Sequence, residues 1–196
     1  MAFAPNDYQK KNAKEVWDVL ATFNYNEVSR AGVLGVIQLE SYMNPGQSEF
    51  GGPGYGLTQW TPKSELYRQG ALLGVSQAEC ETVKGQATII AQGDKTGQWM
   101  SYANPVYGPE IITPMMLDTY KKLDKQDVAT INFMGHFARP REWGNFATER
   151  KEAAKVYYQL FTGKPPTEGG GGDDGNGGSN TGSGIDIILD EAILWR

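Results

Sequence analysis

The sequence predicts a mostly α-helical fold with one small glycine-rich hairpin lobe. Apolar residues recur at intervals of three and four, as they do on the buried face of a helix. The clearest such stretch starts at Ala31 and places Val33, Val36 and Ile37 on one stripe. It ends in a segment with four glycines among residues 51–56, where positive φ angles are easily adopted. We therefore expect helices on both sides of a single irregular lobe.

Capping residues and helix breakers set the limits of the predicted helices. Asn6, Asn26, Ser76, Asp124 and Asn145 are suitable N-terminal caps, and Gly93 and Gly163 are suitable helix ends. Thr61-Pro62 and Thr113-Pro114 are expected to open further helices, because proline is favoured in a first turn. Helices are predicted over about residues 7–23, 27–41, 62–73, 77–92, 114–123, 125–139 and 146–162.

Composition excludes several classes of protein. The 196 residues are 39% hydrophobic and 21% charged, with a net charge of −5, which is typical of a globular domain and gives no basic patch for nucleic acid. No apolar run approaches the ~20 residues of a membrane helix. With one cysteine and one histidine, no internal disulfide, Cys/His zinc site or other metal or cofactor site is expected. The N-terminus lacks a secretory signal pattern.

Glu40 is the first candidate catalytic residue. At about 100° per residue it falls on the same stripe as Val33, Val36 and Ile37, where the helical pattern stops. A carboxyl group that is partly removed from water tends to keep its proton, as a general acid must near neutral pH. With no partner visible in the sequence, Glu40→Gln is expected to keep or raise stability. The alternative is a glutamate that ends the helix and points to solvent.

The glycine-rich segment after Glu40 supplies candidate sugar-binding groups. It combines backbone that a ligand can approach closely with hydroxyl, amide and aromatic side chains. The candidates for substrate binding are Ser41, Tyr55, Gly56, Thr58, Gln59 and Trp60. Glu49 is the only carboxylate in this segment. It is a second catalytic acid, a group that holds the attacking water, or a solvated loop charge.

These residues carry a resemblance to a known family. Glu40-Ser41 followed by Gly56-Leu57-Thr58-Gln59 resembles the Glu-Ser and Gly-Leu-Met-Gln motifs of goose-type lysozymes and lytic transglycosylases. The longer run from Ala31 to Thr61 is closer to the phage tail lysozyme family. The resemblance spans roughly Asn12 to Phe161, and it implies an α+β lysozyme-like fold and cleavage of bacterial peptidoglycan.

Later segments add candidates for substrate binding. Tyr107 lies in an irregular aromatic region. His136 and Arg139 belong to a segment that resembles the aromatic-x-Arg-Pro motif late in phage tail lysozymes. The resemblance suggests that Arg139 orients an acetamido group or pairs with a carboxylate. His136 is either a catalytic base or a helix-end residue whose hydrogen bonds are made within the protein.

Three regions are expected along the chain. Residues 1–163 form the lysozyme-like domain, and residues 164–184 form a flexible linker in which nine of the sixteen residues from Gly169 to Gly184 are glycine. Residues 185–196 are expected to begin a second domain or to dock on the first. Twelve residues cannot form a core of their own.

The function expected from the resemblance is cleavage of the β-1,4 bond between N-acetylmuramic acid and N-acetylglucosamine. The enzyme would be either a muramidase or a lytic transglycosylase that gives 1,6-anhydro products. An inactive wall-binding tail module and a thiol peptidase built on Cys80 and His136 are the alternatives. Peptidoglycan is the expected partner, together with other phage tail proteins if the enzyme acts from the virion tail. If it acts as an endolysin, it must be released from the host cytoplasm without a signal peptide.

Overall fold

The computed structural model describes residues 3–102, 112–140 and 146–167. Over these ranges the chain is mostly helical, which confirms the lysozyme-like, mostly α expectation. The helices are α1 (Asp7–Thr22), α2 (Glu27–Ser41), α3 (Lys63–Leu72), α4 (Gln77–Cys80), α5 (Val83–Ala91), α6 (Gly93–Thr96), α7 (Leu117–Tyr120), α8 (Gln126–Phe133) and α9 (Ala147–Thr162). A π-helix, Met134–Ala138, continues directly from α8.

The second helix, α2, is the centre of the fold. Its residues are buried on every side from Ala31 to Gln38, which is wider than the single stripe that the sequence suggests. A helix that is apolar all round belongs in a core. Two glycines let neighbouring helices approach closely: a Cβ on Gly32 would lie 2.8 Å from Ala129 of α8, and one on Gly35 would lie 2.3 Å from the Arg150 carbonyl oxygen of α9.

Several predicted boundaries need correction. The third helix begins at Lys63, one residue later than predicted. Its N-cap is Pro62, which makes no side-chain capping bond, and Thr61 lies before the helix. The helix predicted from Ser76 to about residue 92 is two helices, since α4 ends before Glu81 and the Thr82 hydroxyl accepts a hydrogen bond from Gly85 N to cap α5. Gly93 starts the short helix α6 instead of ending one.

Two later boundaries also differ. The helix expected from Thr113-Pro114 begins only at Leu117, and α8 has Lys125 as its N-cap instead of Asp124. The cap predicted at Asn145 lies outside the described residues. The last helix does end where predicted, because Gly163 adopts a φ of 69°.

The glycine-rich lobe follows α2 as expected, but it pairs through isolated bridges instead of long strands. Within the described residues, Tyr55 bridges Ser48 on one side and Trp60 on the other, both antiparallel. Glu49 N donates to Gly54 O at 2.9 Å and closes the turn between them. Gly51, at the tip, has a φ of 72° and open space around it, so the turn uses the backbone freedom of glycine.

The described part of the predicted linker follows the domain surface. Lys164 forms an ion pair with Glu27 at 2.7 Å, and Thr167 N donates to the buried Gln126 side chain at 2.8 Å. The remaining residues of the predicted linker and the predicted terminal segment lie outside the described residues. Among the helices of the described ranges, none combines the length and apolarity needed to cross a membrane.

Candidate active site

Glu40 lies in the last turn of α2 and faces a buried cation. The helix ends at Ser41, because Tyr42 and then Met43 turn into the left-handed region with φ values of 52° and 63°. The Glu40 side chain is 13% exposed, and its Oε1 accepts a hydrogen bond from Arg150 Nη2 at 2.7 Å. Arg150 itself is only 5% exposed. The carboxyl group is therefore mostly removed from water but retains an open edge.

Opposing effects act on the protonation of Glu40. Burial raises the pKa of its carboxyl group, the Arg150 guanidinium opposes that rise, and the negative charge of Glu49 adds to it. The net effect is a pKa above the ordinary value, in the direction expected from the helical stripe. A raised pKa keeps a larger fraction of the carboxyl group protonated, as a general acid requires.

Close packing of α9 on α2 brings Arg150 to this position. The Gly35 contact leaves no room for a side chain between the two backbones. About one turn further along α2 and two turns further along α9, Tyr157 donates a hydrogen bond to Gln38 Oε1 at 2.6 Å. The buried face of α9 therefore runs through Arg150, Ala154 and Tyr157. The sequence pattern places Lys151, Ala154, Val156 and Leu160 along this helix. Of these, Ala154 is buried, whereas Leu160 is 44% exposed.

Hydrogen bonds tie the end of α2 to the Gly56–Gln59 loop. Ser41 Oγ donates to Leu57 O at 3.1 Å, and Leu57 N donates to Gln86 Oε1 at 2.7 Å. The Gln86 amide also donates to the carbonyl oxygens of Pro45 and Cys80. A Cβ on Gly56 would lie 2.6 Å from Gln86 Oε1, so this loop position requires glycine. Ser41 is fully buried, and we assign it to positioning the loop.

Thr58 and Gln59 contribute unpaired oxygen atoms to the same loop. The Gln59 amide donates to Gly56 O at 2.8 Å. Among the described residues, Thr58 Oγ1 and Gln59 Oε1 are buried and have no hydrogen-bond partner. Unpaired buried oxygens are uncommon in proteins and are typical of functional sites.

Glu49 is folded onto its own turn. Its Oε2 accepts a hydrogen bond from Gly54 N at 3.0 Å, and a Cβ on Gly54 would approach both Glu49 Oε2 and Gln59 Oε1 within 3 Å. The lobe thus brings the Glu49 carboxylate close to the Gln59 amide. Glu49 is also near enough to Glu40 for its charge to act on that carboxyl group.

The Tyr55 side chain belongs to a polar cluster that joins the lobe to α3 and α4. The Tyr55 and Tyr67 hydroxyl groups both donate to the Glu81 carboxylate. Lys63 lies 2.8 Å from Glu81 and 3.8 Å from the centre of the Tyr55 ring. Cation–π and ion-pair contacts of this kind hold side chains in place. We call this set (Tyr55, Lys63, Tyr67 and Glu81) the lobe latch.

Trp60 is not an exposed aromatic plate, which corrects the expectation from the sequence. Its indole is 3% exposed, and the ring N–H donates to Gln69 Oε1 at 3.1 Å. Phe137 packs edge-on against the ring, with centroids 6.5 Å apart. A sugar cannot stack on a ring whose faces are covered by protein. Trp60 therefore anchors the lobe to the core.

His136 and Arg139 both contact backbone carbonyl groups of neighbouring segments. The His136 ring is buried, with Nδ1 against Met100 O and Nε2 3.0 Å from Thr113 O, which accounts for both ring nitrogens. Arg139 Nη1 donates to Gln98 O at 2.7 Å, and its side chain is half-buried. We assign His136 to holding the backbone at Met100 and Thr113 in place. Tyr107 lies outside the described residues.

A thiol peptidase is contradicted by the same contacts. Cys80 is fully buried, and a Cβ on Gly70 would lie 2.4 Å from its sulfur. Burial raises the pKa of the thiol, the opposite of what a nucleophilic cysteine requires. The ring nitrogens of His136 contact carbonyl oxygens instead of the thiol.

Sequence reasoning missed two residues of the site. Arg150 interrupts the apolar face of α9 as Glu40 interrupts that of α2, so a charge on each buried stripe is a signal that was available. Gln86 gives no such signal, because its role depends on its hydrogen bonds to Leu57 N, Pro45 O and Cys80 O, which no local pattern indicates. The described ranges contain no group of three or more His, Cys, Asp or Glu side chains arranged to hold a metal ion.

Comparison with known families identifies this arrangement. The family model described as phage tail lysozyme matches residues 11–161. The match contains α2 with Glu40, the lobe with Glu49 and all but the last residue of α9, on which Arg150 lies. The chain therefore belongs to the phage tail lysozyme family, whose members are lysozyme-like enzymes of peptidoglycan degradation.

Proposed function

We propose that this protein is a glycosidase that cleaves the β-1,4 bond between N-acetylmuramic acid and N-acetylglucosamine in peptidoglycan. The observation that carries the proposal is the state of Glu40. It is a mostly buried carboxyl group with a raised pKa, and the next residue, Ser41, is hydrogen-bonded to Leu57 of the Gly56–Gln59 loop. Membership of the phage tail lysozyme family supports the class of substrate.

Glu40 is the general acid in this mechanism. Its proton passes to the glycosidic oxygen as the bond between that oxygen and the sugar C1 breaks through an oxocarbenium-like transition state. A water molecule then adds to C1 and loses a proton to a base. Glu49, held by Gly54 N in the lobe, is the candidate for placing that water.

A lytic transglycosylase is the second outcome of the same site. In that reaction the 6-hydroxyl of the muramyl residue adds to C1 in place of water and loses its proton to a base, and the product carries a 1,6-anhydro end. Glu40 has the same role in both reactions. Glu49 has a role in placing water only in the hydrolysis.

Substrate contacts are proposed for Gly56, Thr58, Gln59 and Arg139. Thr58 and Gln59 offer the unpaired oxygens noted above, and Gly56 offers close approach to the backbone. Arg139 is half-buried, and its guanidinium donates to Gln98 O. It is proposed to bind an acetamido group of the substrate. Ser41, Trp60 and His136 act by supporting these residues.

The place of action is proposed from the family. A tail-associated enzyme would make a local opening in the wall during infection and would contact other tail proteins. An endolysin would act on the wall from within at the end of infection.

Loss of turbidity of purified cell walls tests the proposal. We expect lysis by the full chain and a loss of at least ~100-fold in Glu40→Gln, the lower end for general acid catalysis. Glu49→Gln should lose less if Glu49 only places water. Iodoacetamide should have no effect, because the thiol of Cys80 is buried. Walls that stay intact with the wild-type chain, while the protein still binds them, would assign it to the inactive wall-binding class.

A further inference from the structure

Arg150 is a buried cation whose visible partner is the proposed catalytic acid. Its Nη2 contacts Glu40, whereas its Nε and Nη1 are buried without a hydrogen-bond partner among the described residues. Burial lowers the pKa of its guanidinium, and the charges of Glu40 and Glu149 oppose that change. A buried guanidinium is costly unless it is well paired, so its position suggests a functional role.

The contact creates a conflict that bears on catalysis. A general acid must carry a proton, yet a cation 2.7 Å away favours the ionised carboxylate. The protonation of Glu40 depends on two nearby charges, Arg150 on α9 and Glu49 on the lobe. The charge of Glu149, next to Arg150 on α9, acts in turn on Arg150.

The other helices packed on α2 direct their charged groups elsewhere. On α1, Lys14 pairs with Asp18 at 2.7 Å. On α8, Asp127 lies 3.7 Å from Lys155 of α9. Among the residues that the structure describes, Arg150 is the cation that contacts Glu40.

We propose that Arg150 is a positioning residue that holds the Glu40 carboxyl group in place and sets the pH range over which it carries the proton for catalysis. The proposal rests on the function proposed for Glu40. Arg150 does not touch the substrate. Its guanidinium fixes one oxygen of Glu40 by the hydrogen bond and leaves the other oxygen to deliver the proton.

Gly35 is the structural basis of this arrangement. Because a Cβ at residue 35 would lie 2.3 Å from Arg150 O, the glycine fixes how closely the Arg150 backbone approaches α2. The same contact sets where the guanidinium meets the last turn of α2.

Two measurements on Arg150→Gln and Arg150→Lys, in the full chain, test the proposal. The first is the pH dependence of wall lysis. The second is the titration of the Glu40 carboxyl carbon by NMR, assigned by its absence in Glu40→Gln. In Arg150→Gln both the alkaline limb of lysis and the Glu40 titration should move up by about 1 pH unit or more, because an adjacent opposite charge depresses a carboxyl pKa by ~1–3 units. Arg150→Lys keeps the charge and should move both by less.

Arg30→Gln is the matched control. Arg30 is also a partly buried arginine on α2, but it lies ten residues from Glu40 and contacts the Trp17 ring. That separation is about 15 Å along a helix, beyond the ~8–10 Å over which charges act in salt solution. Neither the Glu40 titration nor the alkaline limb should move.

The outcomes separate this inference from the proposed function. A Glu40 titration that stays in place in folded Arg150→Gln would overturn the inference. If that variant does not fold, the neutral Arg150→Met, which fills a similar volume, undergoes the same titration. A Glu40 titration that stays in place in folded Arg150→Met would overturn the inference as well. A Glu40 titration that moves while the alkaline limb stays would support the coupling and would instead overturn Glu40 as the proton donor.

Discussion

The two candidate catalytic carboxylates, Glu40 and Glu49, are held in place in different ways. Glu40 ends a helix that is buried on all sides, and a second helix brings it a buried cation. Glu49 lies on a turn of the glycine-rich lobe, where its partner is the backbone N–H of Gly54. The chemistry of Glu40 is therefore set by tertiary packing, and the position of Glu49 by local turn geometry. Substitutions in the core should therefore alter the properties of Glu40, and substitutions in the lobe should alter the position of Glu49.

The largest effect on stability is expected where the lobe meets the core. Trp60→Ala should cost about 3–5 kcal/mol of unfolding free energy, as expected for a buried large aromatic residue. Phe50 at the lobe tip is 81% exposed and is the matched control, so Phe50→Ala should change stability by less than ~0.5 kcal/mol. Urea denaturation measures both. Equal losses would show that the lobe tip is also packed.

Glu40→Gln and Glu49→Gln compare the two regions directly. In contrast to the expectation from sequence alone, Glu40→Gln should lose stability, because it leaves Arg150 as a buried charge without its counter-ion. The Gln oxygen still accepts a hydrogen bond, so we expect a loss of about 1–3 kcal/mol. Glu49→Gln keeps the bond from Gly54 and should change stability by less than ~0.5 kcal/mol. Greater stability in Glu40→Gln would show that the ion pair is unfavourable overall.

The lobe latch should weaken in acid while the core remains folded. Burial alone would raise the pKa of Glu81, but hydrogen bonds from Lys63, Tyr55 and Tyr67 lower it from 4.5 to about 2. A lowered pKa gives stability that is present above pH 4.5 and is lost as the pH falls toward 2. The difference in melting temperature between wild type and Glu81→Gln should therefore be constant near neutral pH and shrink over that window. The effect should be modest, because the cluster is partly exposed. A difference that does not change with pH would contradict this role of the charge.

The smallest effect is expected from the C-terminal residues. A chain that ends at Thr167 keeps the contacts of Lys164 and Thr167 and should melt within a few degrees of the full chain. A chain that ends at Thr162 loses the Thr167 bond to the buried Gln126. It should melt lower by ~2–4 °C for each kcal/mol lost. Equal melting of the two truncated chains would show that the Thr167 contact adds nothing.

The sequence predicted the parts of this fold that depend on local patterns. The apolar stripe of α2, the caps at Asn6, Asn26 and Ser76 and the end at Gly163 all follow from neighbouring residues. Glu40 was found because its stripe position and its end-of-helix position coincide. The family motif around it added the chemistry that periodicity alone cannot supply.

Features that depend on distant contacts were not predictable in the same way. The rotation of α9 that buries Arg150 is fixed by Gly35, more than a hundred residues earlier. From the sequence, Trp60 was expected to be an exposed ring on which a sugar could stack. Only its contacts with Gln69 and Phe137 show that the ring is covered. In both cases the deciding partner lies in another element, so no local pattern indicates it.

Mass spectrometry of the fragments released from purified cell walls tests the central claim most directly. The account predicts glycan fragments cut between N-acetylmuramic acid and N-acetylglucosamine, with a reducing end if the enzyme is a hydrolase and a 1,6-anhydro end if it is a transglycosylase. Glu40→Gln should release these same fragments at least ~100-fold more slowly. Fragments cut at peptide bonds, or unchanged glycan fragments released by Glu40→Gln at the wild-type rate, would contradict it.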